Sequence, residues 1–241
     1  MLVPSLLLIV GAYLLGSVSP AYILGRMLGG KDLRQYGSGT LSGSMVFEHV
    51  GRWAILPILV FDPLKATLPA LLALWLDLGV LVAAGAGLAA VIGHNWPIYT
   101  RFYGGRGMAT FAGVWLALFP PGALWMVVLL GSGWQLGDSA PWLLLTLLSM
   151  PLLAHLFNGP IMLGPVLLGG PVLVGQLAGA MILITLAKRL EANRRPLPPP
   201  GPERLKVLLR RAFLDRDMAS HEEWIRRQPV VGDAEQIEPE A

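Results

Sequence analysis

Three glycine-bearing loops of this chain hold residue types that suit the binding of phosphate. The first covers residues 36–44 and contains Gly37, Ser38, Gly39 and Thr40. Glycines let successive backbone amides point into one concavity, and hydroxyl groups add hydrogen-bond donors. The same composition is also typical of a plain flexible loop, so both interpretations remain open at this point.

A second candidate is the charged pair Asp62 and Lys65, which lies inside an apolar segment. Charges at membrane depth are costly and are usually paired or turned towards a polar cavity. The two residues are three positions apart and share a helix face, so they can neutralise each other. Alternatively, Pro63 permits a break in the helix and Lys65 holds an anion beside a cavity. We favour this functional interpretation.

The strongest local signal is the third loop, residues 93–110. Gly104, Gly105 and Gly107 flank Arg106 just before a helix is expected to begin. Amide donors, a helix N-terminus and a guanidinium group can there face one anion. His94 in the same loop is either a structural or orienting histidine or a general base.

Long apolar blocks surround these loops. Hydrophobic residues make up 54% of the 241 residues and charged residues 14%, whereas about a quarter of the residues in a soluble domain are charged. About 20 helical residues cross a bilayer, and a helix satisfies its own backbone in lipid. The sequence therefore predicts an all-α transmembrane bundle. Its apolar blocks are 2–28, 53–76, 79–98, 108–134, 140–157 and 164–186.

The number of crossings follows from prolines and charges. Pro120 and Pro121 divide the fourth block into two short helices, because proline removes a backbone donor and crowds the preceding turn. Basic residues cluster in 26–52, 101–106 and 188–195, which the positive-inside rule places in the cytoplasm. An uncharged start and a basic end put the termini on opposite sides. We predict seven helices, within a range of five to seven, with the N-terminus outside and the C-terminus cytoplasmic.

The composition changes near residue 195, so we divide the chain into a transmembrane domain at 1–190, a Pro-rich linker at 191–202 and a cytoplasmic tail at 203–241. Residues 203–217 alternate apolar and basic side chains at helical spacing. This pattern predicts an amphipathic helix that lies on anionic lipid, binds a peripheral partner or another subunit, or packs on the chain itself. The stretch from Gln228 is polar, acidic and expected to be disordered.

Charge and cysteine content exclude several functions. The net charge is +3, but the basic residues stand mainly at the ends of apolar blocks, so membrane topology explains them and no nucleic acid partner is expected. The chain has no cysteine. This excludes disulfides, a thiolate metal site and a thiol nucleophile.

In order and spacing, the three loops resemble those of the bacterial acyl-phosphate:glycerol-3-phosphate acyltransferases, membrane enzymes that make lysophosphatidic acid. The likeness covers roughly residues 10–115. The matching motifs are Gly93-His94-x-x-Pro97, Phe102-x-Gly104-Gly105-Arg106-Gly107-x-Ala109-Thr110, Gly16-Ser17-x-x-Pro20, Gly37-Ser38-Gly39 and Asp62-x-x-Lys65.

The resemblance implies acyl transfer from acyl phosphate to the 1-hydroxyl of glycerol 3-phosphate, as a step of phospholipid biosynthesis at the cytoplasmic face of the cell inner (plasma) membrane. It implies no metal and no nucleotide cofactor, since an acyl phosphate already carries a good leaving group. It implies catalytic roles for Ser38, Arg106 and His94. The implied substrate-binding residues are Gly37, Gly39, Thr40, Lys65, Gly104, Gly105, Gly107 and Asn193.

Some positions depart from the family pattern. An arginine of the family is replaced by Glu48, and reversing a charge near a bound phosphate can cost several kcal/mol. Arg34 and Arg52 are candidates to compensate for it. The other departures are Thr40 and Met45, where the family has asparagine, and Leu190, where it has histidine.

Three functions are compatible with these residues. We favour a divergent acyltransferase. The second is an acyltransferase-like protein that has lost catalysis and binds lipid or a partner. The third is a small transporter of anionic metabolites, against which the lack of an inverted repeat counts.

Overall fold

The computed structural model describes residues 2–157 and 170–227, and the secondary structure of these residues is entirely helical. Short 3-10 turns cover Arg52–Ile55, Ile98–Thr100 and Ala192–Arg194. The α-helices are α1 (Leu2–Ser17), α2 (Pro20–Gly29), α3 (Gly43–His49), α4 (Leu56–Trp75), α5 (Val80–Asn95), α6 (Met108–Leu118), α7 (Pro120–Gln135), α8 (Ala140–Phe157), α9 (Gly170–Glu191), α10 (Pro202–Leu214) and α11 (His221–Ile225).

Five helical segments are long and apolar enough to cross a membrane, and α6 is a shorter apolar helix. The five are Leu2–Gly29, Arg52–Trp75, Val80–Thr100, Ala140–Phe157 and Gly170–Arg194. The predicted all-α transmembrane bundle is therefore confirmed. The first residues of the last predicted block, 164–169, and the acidic stretch from Gln228 lie outside the described residues.

Proline acts differently at two places in the chain. The fourth apolar block is divided as predicted, because Phe119 has φ −153° between the end of α6 and the start of α7. A residue that precedes proline avoids the helical region. In contrast, α4 continues through Pro63 without a break.

Small residues bring the central helices into close contact. Gly16 of α1 lies against the backbone of Ala90 in α5, and Gly113 of α6 lies against the backbone of Pro63 in α4. An added Cβ atom at either glycine would overlap these backbones. Transmembrane helices pack through such small residues because lipid gives little hydrophobic force between helices. Large apolar side chains cover the outside, among them Leu7, Val60, Leu148 and Leu183.

Several connections meet at one end of the bundle, which we call the site end. Asn193, which follows α9, donates a hydrogen bond to the carbonyl of Gly39 in the first loop and another to Gly104 in the third. Asp138 in the turn between α7 and α8 forms an ion pair with Arg216 of the tail. The alternating path of the helices thus brings both glycine loops and the tail together.

The predicted amphipathic helix of the tail is α10, and one side of it packs on the chain itself. Arg189 of α9 is buried and donates hydrogen bonds to the carbonyls of Ala212 at 2.9 Å and Ala140 at 2.7 Å. Arg211 of α10 is also buried and donates to the carbonyl of Pro196 at 3.2 Å. The opposite face of α10 is exposed and apolar, with Leu205, Leu209 and Phe213.

Candidate active site

The first loop is anchored by Asp32, a buried residue that forms ion pairs with Arg26 and Arg34. Burial alone would raise the pKa of the Asp32 carboxyl. The hydrogen bonds and charge of Arg34, with the charge of Arg26, outweigh this effect and hold its pKa below the ordinary value of 3.8. Arg34 is thus committed to the anchor, and neither Arg34 nor Arg52 lines the cavity near Glu48.

A row of hydroxyl groups follows the anchor. Ser38 Oγ lies 2.6 Å from Thr40 Oγ1, and Ser42 Oγ lies 3.0 Å from both Thr40 Oγ1 and Ser44 Oγ. Turns with positive φ at Gly37 and Gly39 precede the start of α3 at Gly43, and this path brings the four hydroxyl groups together. Ser38 and Thr40 are buried, whereas Ser44 is exposed. All four line a cavity of about 630 Å³, which we call the polar cavity after these hydroxyl groups, although most of its wall is apolar.

Arg106 stands at the junction of the third loop and α6, and it lines the polar cavity. Its side chain is buried, and Nη1 donates a hydrogen bond of 2.9 Å to the carbonyl of Lys188. Nε lies 2.9 Å from Asp215 Oδ1 in the tail. Nη2 has no hydrogen-bond partner within residues 2–157 and 170–227. One edge of the guanidinium therefore stays open to a ligand.

Asp62, Lys65 and His94 form a buried cluster behind Arg106. Lys65 Nζ lies 2.9 Å from Asp62 Oδ1 and 2.7 Å from His94 Nδ1. Because the ammonium donates to Nδ1, a neutral imidazole carries its own proton on Nε2. This arrangement favours the orienting role of His94 over the general base. Lys65 is only 1% exposed and lines neither cavity.

A second cavity of about 430 Å³ lies between α4, α6 and α7, and we call it the apolar groove. Asp62 and His94 line its inner part. The groove shares Ser42, Arg106 and Trp134 with the polar cavity, so the two adjoin each other. Its other lining residues are mostly apolar, among them Ile55, Ile58, Leu59, Pro63, Met108, Ala112, Met126, Val127 and Leu130.

Several predicted binding residues contact one another instead of the cavities. Asn193 Nδ2 donates to the carbonyls of Gly39 at 2.7 Å and Gly104 at 3.3 Å, so this amide ties the two loops together. The amide of Gly37 donates to the carbonyl of Arg227, and the amide of Gly105 to that of His94.

The backbone amides of Arg106 and Gly107 differ from those of Gly37 and Gly105, which donate hydrogen bonds to other carbonyls. Those of Arg106 and Gly107 have no partner in the part of the chain that the structure describes. The first amides of α6 are also unpaired within the helix, as at any helix N-terminus. Gly107 precedes α6 with φ 75°, which a residue with a side chain rarely adopts. These amides can therefore receive an anion.

The cavity walls include residues that the sequence did not indicate. Arg189 lines the polar cavity, but its guanidinium is occupied by carbonyl groups. Asp138, Asp215 and Trp224 also line it. The sequence marks Arg189 only as part of the basic cluster at 188–195. No local pattern marks Asp215, since its contact with Arg106 joins segments that are distant in the sequence.

An anionic head group and an apolar chain are the ligand features that this site fits. The family model described as "Glycerol-3-phosphate acyltransferase" matches residues 6–195. The chain is similar to glycerol-3-phosphate acyltransferase 4 of Dehalococcoides mccartyi strain CBDB1, with 34% identity over 94% of this chain and 95% of the relative. It is 41% identical to the glycerol-3-phosphate acyltransferase of Pseudomonas aeruginosa strain LESB58, over 68% of this chain and 87% of the relative.

Solved structures that resemble this fold are also glycerol 3-phosphate acyltransferases. The fold resembles that of PlsY, an integral membrane glycerol 3-phosphate acyltransferase, in its glycerol 3-phosphate form, with a TM-score of 0.66 and 29% identity. The match covers 80% of this chain and 91% of that chain. The lysophosphatidic acid form matches with a TM-score of 0.64. This chain therefore belongs to the glycerol-3-phosphate acyltransferase family.

Proposed function

We propose that this membrane protein transfers an acyl group from acyl phosphate to the 1-hydroxyl of glycerol 3-phosphate, giving lysophosphatidic acid and inorganic phosphate. One observation carries the proposal: the hydroxyl row and the open edge of Arg106 line a polar cavity that adjoins the apolar groove. An acyl phosphate needs both environments, since its head is anionic and its chain is apolar. The solved relatives, crystallised in glycerol 3-phosphate and lysophosphatidic acid forms, support this substrate class.

In this proposal Arg106 and the first amides of α6 hold the phosphate of the donor, and the acyl chain lies in the apolar groove. The acceptor hydroxyl attacks the acyl carbon, a new C–O bond forms, and the bond to the phosphate oxygen breaks. Ser38 orients the attacking hydroxyl, whose proton passes to the leaving phosphate. Positioning and anion stabilisation account for the catalysis.

The remaining predicted residues support this geometry. Lys65 and Asp62 hold the ring of His94, which faces the apolar groove. Asn193 fixes the distance between the first and third loops through its two hydrogen bonds. We assign His94, Lys65 and Asn193 to the positioning of the loops, and Thr40 to the hydroxyl row that meets the acceptor.

A second candidate function is suggested by the acidic groups of the polar cavity. Glu48, Asp138 and Asp215 all line it, and Glu48 has no ion pair among the described residues. An acidic wall disfavours two phosphorylated substrates. A family member that has lost catalysis and binds lipid would tolerate this acidic wall better than an enzyme with two phosphorylated substrates.

We also propose the membrane in which the protein lies, its orientation there and its division into domains. The site end lies on the cytoplasmic side of the cell inner (plasma) membrane, with the N-terminus outside. Residues 1–190 form the acyltransferase domain, 191–202 the linker and 203–241 the tail. The exposed apolar face of α10, flanked by Lys206 and Arg204, is where the tail would meet membrane lipid or a peripheral partner.

The activity is tested with purified protein in lipid, supplied with palmitoyl phosphate and glycerol 3-phosphate, by measuring lysophosphatidate and inorganic phosphate. We expect Arg106→Ala and Ser38→Ala each to lower the rate at least tenfold, because each removes a group that holds a reacting partner. Arg226→Ala and Ser132→Ala are matched controls, since Arg226 is exposed, Ser132 contacts only the backbone of its own helix through its hydroxyl, and neither lines a cavity.

Normal turnover by both site variants would contradict the assignment of the site. A folded wild-type protein that forms no lysophosphatidate would contradict the proposed activity and favour the second candidate.

A further inference from the structure

The C-terminal segment contributes to the polar cavity although it lies beyond the residues that the family model matches. The family model ends at residue 195, and the solved relatives cover 80% of this chain. Yet Asp215, His221, Trp224 and Ile225 line the polar cavity. The Dehalococcoides relative aligns over 94% of this chain, so the segment is shared by a part of the family.

The segment from Asp215 to Arg227 is held at both ends. At its far end, the carbonyl of Arg227 accepts a hydrogen bond of 2.8 Å from the amide of Gly37 in the first loop. The carbonyl of Ile225 lies 3.2 Å from His49 Nε2. At its near end, Asp215 contacts Arg106 of the third loop. The segment therefore spans the cavity from one glycine loop to the other.

The contact between Asp215 and Arg106 is close but poorly directed. The side chains are 13% and 8% exposed, and Oδ1 lies 2.9 Å from Nε. Neither atom makes a hydrogen bond in the described structure, so the contact meets the distance of an ion pair and not the angle of a hydrogen bond. Burial raises the pKa of the Asp215 carboxyl, although Arg106 and Arg189 oppose this effect.

A donor phosphate at the open edge of Arg106 would bring a second anion to the same guanidinium. Like charges at short range in a poorly solvated place repel each other strongly. The donor must therefore overcome the carboxylate that already occupies Arg106.

We propose that Asp215 is a built-in competitor of acyl phosphate for Arg106, and that the C-terminal segment thereby sets the affinity for the donor. The inference rests on the proposed function for the placement of the donor phosphate at Arg106. It assigns to the tail a larger effect on the donor than on the acceptor, since the donor phosphate meets Arg106 whereas the acceptor hydroxyl meets Ser38.

The test is the binding of a non-transferable donor analogue, palmitoyl phosphonate with a methylene in place of the bridging oxygen, to the full-length protein in nanodiscs. Asp215→Asn keeps the shape of the side chain and removes its charge, so we expect the Kd of the analogue to fall at least fivefold. Asp215→Glu keeps the charge and should stay closer to the wild type. Glu223→Gln is the control, because Glu223 is exposed on the same segment and lines neither cavity.

An unchanged or higher Kd for Asp215→Asn overturns the inference, since it makes Asp215 neutral or helpful to donor binding. Asp215→Ser is measured in the same way if the asparagine variant does not give folded protein. In turnover, the KM for palmitoyl phosphate should fall while the KM for glycerol 3-phosphate changes less than twofold. If Asp215→Asn binds the analogue more tightly but the wild type shows no acyl transfer, the inference is supported and the proposed function is rejected. If the wild type transfers the acyl group but Asp215→Asn binds the analogue no more tightly, the proposed function is supported and the inference is rejected.

Discussion

At the scale of single residues, the site holds fewer free cations than its arginines suggest. The guanidinium of Arg189 donates hydrogen bonds to carbonyl groups, and that of Arg106 lies in an ion pair with Asp215. Lys65 lies behind His94 and outside both cavities. Much of the phosphate binding must therefore come from the hydroxyl row and from the amides at the start of α6. These groups bind an anion through their dipoles and carry no net charge.

The first prediction at this scale concerns Glu48, an exposed residue on the wall of the polar cavity. At roughly 8 Å and an effective dielectric constant of about 40, two unit charges repel by about 1 kcal/mol. Glu48→Gln should therefore lower the KM for glycerol 3-phosphate roughly fivefold. Steady-state kinetics at low ionic strength check this, with Glu203→Gln as the control on an exposed part of α10.

If Glu48→Gln raises the KM for glycerol 3-phosphate, the carboxylate takes part in acceptor binding. The pocket would then have been retuned towards an acceptor other than glycerol 3-phosphate.

The residues of the site could be predicted only in part. Ser38 and Arg106 were expected in one pocket because glycine, hydroxyl and guanidinium groups have recognisable local patterns, and the structure places both on the polar cavity. The hydrogen bonds of Gly37 and Asn193 were not foreseen, because their partners lie far along the chain. The same holds for Asp215, which meets Arg106 only through the packing of α10 on α8 and α9.

At the scale of elements, the position of the apolar groove depends on the contact between α4 and α6. Gly113 touches the backbone of Pro63, and Thr67 Oγ1 donates a hydrogen bond of 2.9 Å to the Gly113 carbonyl. This close approach sets the distance between the groove walls. Packing against α6 also offsets the cost of a proline inside a helix, about 3 kcal/mol, so that α4 continues through Pro63.

We expect Gly113→Ala to destabilise the protein by about 1–3 kcal/mol, because the new methyl group overlaps the Pro63 backbone and forces the helices apart. Gly179→Ala in α9 is the control, since no other atom of the described residues lies within 4 Å of its added Cβ. That variant should be neutral or slightly stabilising through its helix propensity. Thermal unfolding in the same detergent compares the two variants, and an equal stability of both would contradict the proposed role of Gly113.

The ends of helices could be predicted from the sequence where they depend on neighbouring residues in the chain. The break at Phe119 was expected from Pro120 and Pro121, because the residue before a proline avoids helical angles. The sequence left open whether α4 continues through Pro63, because the answer depends on neighbours that the local sequence does not reveal.

At the scale of the whole molecule, the path of the helices determines which loops meet. The first loop, the third loop and the turn at Asp138 lie at the site end, as their contacts with Asn193 and Arg216 show. The turn at Asp77, between α4 and α5, lies at the other end of the bundle, one helix length from the glycine loops. The basic clusters of the sequence belong to the site end, and the positive-inside rule is the basis on which we propose that this end faces the cytoplasm.

This orientation predicts opposite labelling of two single-cysteine variants, which is practical because the chain has no cysteine of its own. Asp77→Cys and Ala219→Cys both replace exposed residues, the first at the far end and the second on the tail segment over the polar cavity. A membrane-impermeant maleimide added to intact spheroplasts should label Asp77→Cys at once and Ala219→Cys only after permeabilisation. The unmodified chain measures the background. The reverse pattern would place the site outside the cell, away from cytoplasmic glycerol 3-phosphate, and would contradict both the orientation and the proposed activity.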